Sequence, residues 1–318
     1  MNQQTIQVRV PGTCGEWSQG YIDGEPFLIT CPIQKYTVVQ IEYSPQTVGS
    51  SLSFVMSHEK RKVHQALALL LHSLEVSGSF TVKFLDELPM HKGYGSSTAD
   101  ITAVLLGVSK LLFNTPMDAS KILDIATKIE PSDGVMYNGI AAVNQRDGKQ
   151  MLLIAPPLTN PVFIIDYGIH INTLEWNQLL KDQAKFYSKS ERSHKMKDSF
   201  CCIRDGIAYN NLPALKMGCA ISRDILHEYL NQYKIPYYPM LGFYNQLSTS
   251  LQSCIEAIIP SHSGSIEGYV LKEDLSMAQK KVLSHIAAEN EWEIEFTYLG
   301  NGGGEFYDCA TNSWRKCT

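Results

Sequence analysis

The 318-residue chain is short of positive charge: 27 Lys and Arg stand against 32 Asp and Glu, a formal net charge of −5. Affinity for a phosphate backbone scales with the cations available to neutralise it, so this balance excludes a nucleic-acid binder resting on a basic face. Long apolar runs are missing too. The leucine-rich stretch 66–71 is cut by His72, far short of the roughly 20 residues that a bilayer span needs. The N-terminal MNQQTIQVRV has no basic segment leading into an apolar core, so the expectation is a cytoplasmic protein without a membrane partner. Cysteine occurs 8 times but never as CxxC or in a zinc-like Cys/His spacing, which argues for reduced thiols and no structural metal. Cys14 and Cys31 read as small buried apolar residues.

What is present suffices for a full core: 44% of residues are apolar and 19% charged. At about 150 residues per domain the length favours two domains. The texture changes around Pro156, Pro157 and Pro161, which sets the boundary as 1–157 and 158–318. Alternating or β-branched segments predict strands at 5–10, 27–30, 36–43, 79–85, 140–144, 151–154, 162–166, 265–271 and 294–298. Apolar stripes at helical spacing predict helices over 60–74, 98–112, 117–129, 214–233 and 275–290. Residues 188–197 are polar and charged and read as a mobile loop. The glycine run 300–304 is not followed by a helical pattern, so it reads as a flexible hairpin connection rather than a second phosphate loop.

The most informative stretch is Gly93-Tyr94-Gly95-Ser96-Ser97. A strand ends before it and a strong helix starts after it. Glycines let the backbone bend and approach a ligand closely. The amides and positive dipole end of the following helix then face an anion, the arrangement of a nucleotide phosphate site. Ser96 or Ser97 could cap the helix, and a hydroxyl there could also reach a phosphate-bound Mg²⁺. Lys92 adds an ammonium beside the loop. A plain capped helix after a tight turn would use the same residues. The lysine precedes the glycines, so this is not a Walker A loop.

Residues 89–98, PMHKGYGSST, resemble the PxxxGxGSS(A/T) signature of the GHMP kinases. Residues 10–16, VPGTCGE, resemble the first motif of that family, and residues 261–268, SHSGSIEG, its third. Within the family, PGTCGEWSQG, PFLITCPI, KGYGSSTADI, IEPSDG and SHSGSIEG look like the bacterial L-threonine kinases of cobamide assembly. Tyr94 stands where a smaller apolar residue is usual. The resemblance implies an α+β, two-domain fold: a ribosomal S5 domain 2-like N-terminal domain and a ferredoxin-like C-terminal domain. It implies a kinase that uses ATP and Mg²⁺ on the hydroxyl of L-threonine. The product, O-phospho-L-threonine, would feed the aminopropanol linker of adenosylcobalamin. Serine or homoserine as substrate, and a non-catalytic sensor of the same fold, remain open at this stage.

The resemblance also implies roles. ATP would lie over Lys92, Gly93, Tyr94, Gly95, Ser96, Ser97 and Thr98, with Gly264 folded against the loop. Mg²⁺ would be held by Ser97 and Glu130. Asp133, in Pro131-Ser132-Asp133-Gly134, would accept the hydroxyl proton or orient the alcohol, although an Asp-Gly turn is a common use of that pair. Lys92 would assist catalysis. Asp100 could support the metal or Lys92, or simply favour the helix dipole. Thr13, Gly15, Glu16, His262 and Ser263 would form the substrate pocket, with Glu16 facing an ammonium. The segment between Tyr36 and Lys62 would contribute to the adenine side.

Overall fold

Two long antiparallel strands, β1 (Gln4–Ile22) and β2 (Glu25–Pro45), form the spine of the first layer. The computed structural model describes residues 3–45, 53–56, 60–72, 78–154, 158–169, 183–235 and 237–317. The separate strands expected at 5–10, 27–30 and 36–43 are parts of these two. They stay continuous because the pairing slips at Pro11/Thr13, Thr13/Glu16 and Glu16/Ser18 instead of ending there. Such bulges re-aim side chains; two of the three fall within the VPGTCGE motif and the third begins at its last residue.

β3 (Ser53–Met56) and β4 (Gly78–Asp86) extend the sheet on one side. On the same sheet, β5 (Ile140–Val143) pairs with β2 and β6 (Gln150–Ile154) with β5. Helices α1 (Arg61–Leu71), α2 (Ser96–Phe113) and α3 (Ala119–Thr127) belong to this half, α2 resting on β1 and β2. Nearly every side of α2 is buried between Thr98 and Ser109. That accounts for its apolarity: it is the one helix among the described residues long and apolar enough to cross a membrane, and 67% of it is buried inside the protein.

The second sheet contains β7 (Pro161–Asp166), β8 (Ile255–Pro260), β9 (Ile266–Leu271) and β10 (Glu293–Tyr298) in the antiparallel order β10-β7-β9-β8. Helices lie between β7 and β8 and between β9 and β10, the split βαβ arrangement of a ferredoxin-like unit. They are α4 (Gln183–Tyr187), α5 (Ser190–Ala208), α6 (Leu212–Tyr233), α7 (Thr249–Gln252) and α8 (Met277–Glu289). Phe163, Phe243, Tyr269 and Leu283 centre the second core.

Three expectations change. Residues 188–197 are not a loop, because α5 starts at Ser190 and buries Arg192, Met196, Ser199 and Ile203 along one stripe. Arg192 lies 3.7 Å over the Phe186 ring and pairs with Glu228, and that partly polar stripe hides the helical period. The glycine run 300–304 is no hairpin, since it leads from β10 in one sheet to β11 (Glu305–Asp308) in the other. It is packed, not flexible: Gly302 N–H donates to Gly139 O at 3.0 Å and Gly303 N–H to Val135 O at 2.7 Å. Finally, β11 and β12 (Ser313–Lys316) join β1 in the first sheet, so the chain from 158 onward does not form one unit by itself. Pro156 and Pro157, and much of the 36–62 segment assigned to the adenine side (46–52 and 57–59), lie outside the described residues.

Candidate active site

The turn into α2 is built on glycine. Gly93 has φ +102° and Gly95 +65°, conformations that a Cβ disfavours. A Cβ at Gly95 would stand 2.9 Å from Asp133 Oδ2, so the bare backbone also leaves room for that carboxylate. Gly95, not a serine, occupies the N-cap position, and no side chain among the described residues caps it. Ala99 N–H is the first to bond back, to Gly95 O at 3.0 Å. The amides of Ser96, Ser97 and Thr98 therefore have no intrahelical acceptor and carry the positive end of the helix dipole.

They open on a cavity of about 350 Å³ lined by Gly93, Gly95, Ser96, Ser97 and Thr98, by Glu130 and Asp133, and by Ser263. Ser97 Oγ donates to Glu130 Oε1, while the Lys62 ammonium pairs with Glu130 Oε2. Asp133 N–H bonds Thr98 Oγ1 at 3.4 Å, and Gly134 N–H bonds Thr30 Oγ1 at 2.7 Å, which fixes the PSDG turn against α2 and β2. Burial, then the charges of Glu16 and Glu130, push the Asp133 carboxyl up to about 7. A carboxylate at that value can take up a proton near neutral pH.

Thr13 N–H bonds Tyr94 O at 2.9 Å and Thr13 Oγ1 donates to Gly93 O at 3.2 Å, so the first motif grips the glycine loop from behind. The third motif clamps it from the other side. Ser265 N–H bonds Lys92 O at 2.9 Å, and a Cβ on Gly264 would come within 2.3 Å of Lys92 O and 2.4 Å of Gly93 Cα. Gly15, at φ +91°, passes so close to Pro260 O that a Cβ would lie 2.7 Å away. Glu16 Oε2 accepts both His262 N–H, at 2.9 Å, and the His262 ring Nδ1–H, at 3.0 Å.

Thr13, Glu16 and His262 are buried, and the cavity lining includes none of them, nor Gly15. Of the residues assigned to the substrate, only Ser263 reaches the cavity. Glu16 is buried with its Oε2 held by His262, so it faces the histidine rather than the cavity. Lys92 also departs from expectation. Its ammonium pairs with Asp166, and with Glu293 at 3.3 Å. Those two carboxylates draw it, with Tyr94, to a separate cavity of about 380 Å³ behind the loop. Asp100 does not meet Lys92: it accepts from Lys60 Nζ at 2.9 Å and Thr37 Oγ1 at 2.6 Å.

The family profile described as "GHMP kinases N terminal domain" matches residues 61–143. A curated L-threonine kinase of Salmonella typhimurium is 24% identical over 286 residues, covering 86% of this chain and 88% of that protein. Among solved structures, a homoserine kinase from Cytophaga hutchinsonii superposes with a TM-score of 0.63 at 14% identity, covering 95% of this chain and 97% of that one. A mevalonate diphosphate decarboxylase from Enterococcus faecalis gives 0.64 at 13%, covering 96% and 100%.

Residues 61–143 are thus similar to the N-terminal domain of GHMP kinases, and the likeness to a kinase over most of the chain agrees with that. The chain's two-sheet architecture is the GHMP kinase fold.

Sequence reasoning missed one wall of the cavity. Lys60, Arg61 and Lys62, at the start of α1, line it opposite the glycine loop. A signal existed: three successive cations open an amphipathic helix with no acidic residue in its first turn, where the dipole disfavours positive charge. The donors at the cavity are a serine hydroxyl and carboxylates. An all-oxygen set with one or two carboxylates suits Mg²⁺ shared with a nucleotide phosphate.

Proposed function

We propose that the protein is an ATP-dependent kinase that phosphorylates the hydroxyl of L-threonine, releasing O-phospho-L-threonine and ADP. The observation that carries this reading is the convergence, in one cavity, of the free amides opening α2, the Ser97–Glu130 pair and a carboxyl at Asp133 raised to about 7. The sequence similarity to a curated L-threonine kinase over 86% of the chain supports the substrate. In this reading the product would feed the aminopropanol linker of adenosylcobalamin, and the enzyme would work in the cytoplasm.

Phosphoryl transfer requires positioning and charge neutralisation more than covalent chemistry by the protein. In this reading the amides of Ser96, Ser97 and Thr98 hold the phosphates by hydrogen bonds, and the α2 dipole adds to their pull. Ser97 and Glu130 would hold Mg²⁺, which supplies neutralisation of the charge on the phosphate oxygens. Asp133 is the group to take the threonine hydroxyl proton, and its raised pKa suits that transfer near neutral pH. Glu16 contributes indirectly, since its charge raises the Asp133 pKa and its carboxylate orients His262.

ADP release measured with ATP, Mg²⁺ and a panel of L-threonine, L-serine and L-homoserine tests the reading. Turnover greatest with L-threonine is the expected result. A preference for another acceptor would reassign the substrate, and nucleotide binding without turnover would leave only a sensor. One methyl or methylene group is worth about 1–3 kcal/mol in an apolar pocket, so preferences of about tenfold or more should be visible.

A further inference from the structure

Lys62 occupies an unusual position. It lies in the first turn of α1 beside Lys60 and Arg61, where the helix dipole opposes positive charge, and all three border the cavity. Two of the three are paired. Lys60 is buried and bound to Asp100 and Glu87, so it is a fixed strut between α1 and α2. Lys62 is 41% exposed on its side chain, and its partner is Glu130, whose other oxygen receives the Ser97 hydroxyl. One carboxylate thus serves two groups, a hydroxyl suited to a divalent cation and a partly exposed monovalent cation.

We infer that Lys62 is an exchangeable counter-ion: it balances Glu130 while the site lacks a divalent cation and yields that carboxylate to the metal, turning its ammonium to the nucleotide phosphates. The inference rests on the phosphate and metal reading of the cavity given above. A divalent cation and an ammonium on the same carboxylate repel each other, and a lysine on a flexible four-carbon stem can leave a partly exposed pair at small cost. A triphosphate entering between the start of α1 and the start of α2 offers the ammonium new anionic partners. The unfavourable placement of three cations at a helix N-terminus is then offset when the polyanion binds. Lys62 is a positioning residue for Glu130 and a phosphate ligand in exchange.

The test uses the whole chain and two binding measurements that do not depend on turnover. Mn²⁺ binding to the nucleotide-free protein is followed by electron paramagnetic resonance, and ATP binding in excess chelator by calorimetry. Lys62→Met should tighten Mn²⁺ about three- to fivefold and weaken metal-free ATP about fivefold. Arg61→Met removes a neighbouring charge that has no contact with Glu130, so it reports the general field, and Lys62→Met must exceed it in both measurements. Lys62→Arg should restore ATP binding. Equal effects of Lys62→Met and Arg61→Met, or no effect of Lys62→Met on either ligand, would overturn the exchange. Glu130→Gln separates the two levels of the argument. Mn²⁺ binding lost in Glu130→Gln but unmoved in Lys62→Met overturns only the exchange, whereas Mn²⁺ bound by Glu130→Gln as by the parent overturns the metal assignment itself.

Discussion

Ser97 and Glu130, 33 residues apart in the chain, meet beside the opening of α2, where the serine hydroxyl donates to the glutamate carboxylate. The contact joins the first turn of one helix to a residue three positions beyond the end of α3. Both residues border the same cavity as the free amides.

Ser97→Ala and Glu130→Gln are each expected to lower turnover roughly a hundredfold or more at fixed Mg²⁺, the scale for losing a preorganised electrostatic contact in a transition state. Steady-state kinetics over a Mg²⁺ series, with far-UV circular dichroism as a fold control, measure this. Unchanged rates would remove the metal assignment.

Asp133 makes a pH-dependent prediction. Its raised carboxyl is mostly protonated below about 7 and ionised above, and only the ionised form accepts a proton. kcat/KM should therefore rise with pH through a limb near 7 and level off above it. Asp133→Asn should lose the limb and drop turnover more than tenfold, over ~1.4 kcal/mol of barrier. A smaller loss would mean that the carboxylate only positions the alcohol.

The same shift acts on stability. A carboxyl whose folded pKa is raised favours folding while protonated, and that contribution is lost as pH climbs from the ordinary carboxylate range, about 4, through about 7. Asp133→Asn should accordingly raise the melting temperature relative to the parent at pH 8, with the difference shrinking toward pH 4. Melting curves across that range decide it, and a variant equally or less stable at pH 8 would contradict the buried-charge account.

Gly264→Ala probes the clamp on the glycine loop. The added Cβ would fall 2.3 Å from Lys92 O and 2.4 Å from Gly93 Cα, both of them backbone and unable to swing aside. A destabilisation of about 1–3 kcal/mol, with a raised KM for ATP, is expected from melting curves and kinetics. A silent substitution would show the loop to be free of the third motif.

Lys92→Met should change turnover by less than tenfold, because a partly exposed ion pair contributes little and the ammonium faces Asp166, away from the phosphate cavity. Kinetics matching the losses of Ser97→Ala would restore Lys92 to the reaction.

These residues also show where the sequence was readable. The glycine loop and α2 were legible because their signals are local, turn glycines and a helical stripe, whereas Glu130 was singled out through the family resemblance, with which the helix-pair spacing agrees. The ferredoxin-like order of the second sheet came only through family resemblance, since strand pairing is long-range. The partners of Lys92 were not legible. An ammonium beside a phosphate loop looks like a phosphate ligand until the fold brings Asp166 and Glu293 to it. Glu16 and His262 lie 246 residues apart, and nothing local in either motif says that one will hold the other. Helix α5 was missed because arginine and serine occupy its buried face, and Lys62 because a basic helix start reads as solvated surface.

The most direct measurement is a crystal structure of the protein with a non-hydrolysable ATP analogue and Mn²⁺, the metal located by anomalous scattering. The account predicts the triphosphate against the amides of Ser96, Ser97 and Thr98, with an anomalous peak within coordinating distance of Ser97 Oγ and the Glu130 carboxylate. Nucleotide bound elsewhere, with the start of α2 vacant, would contradict it.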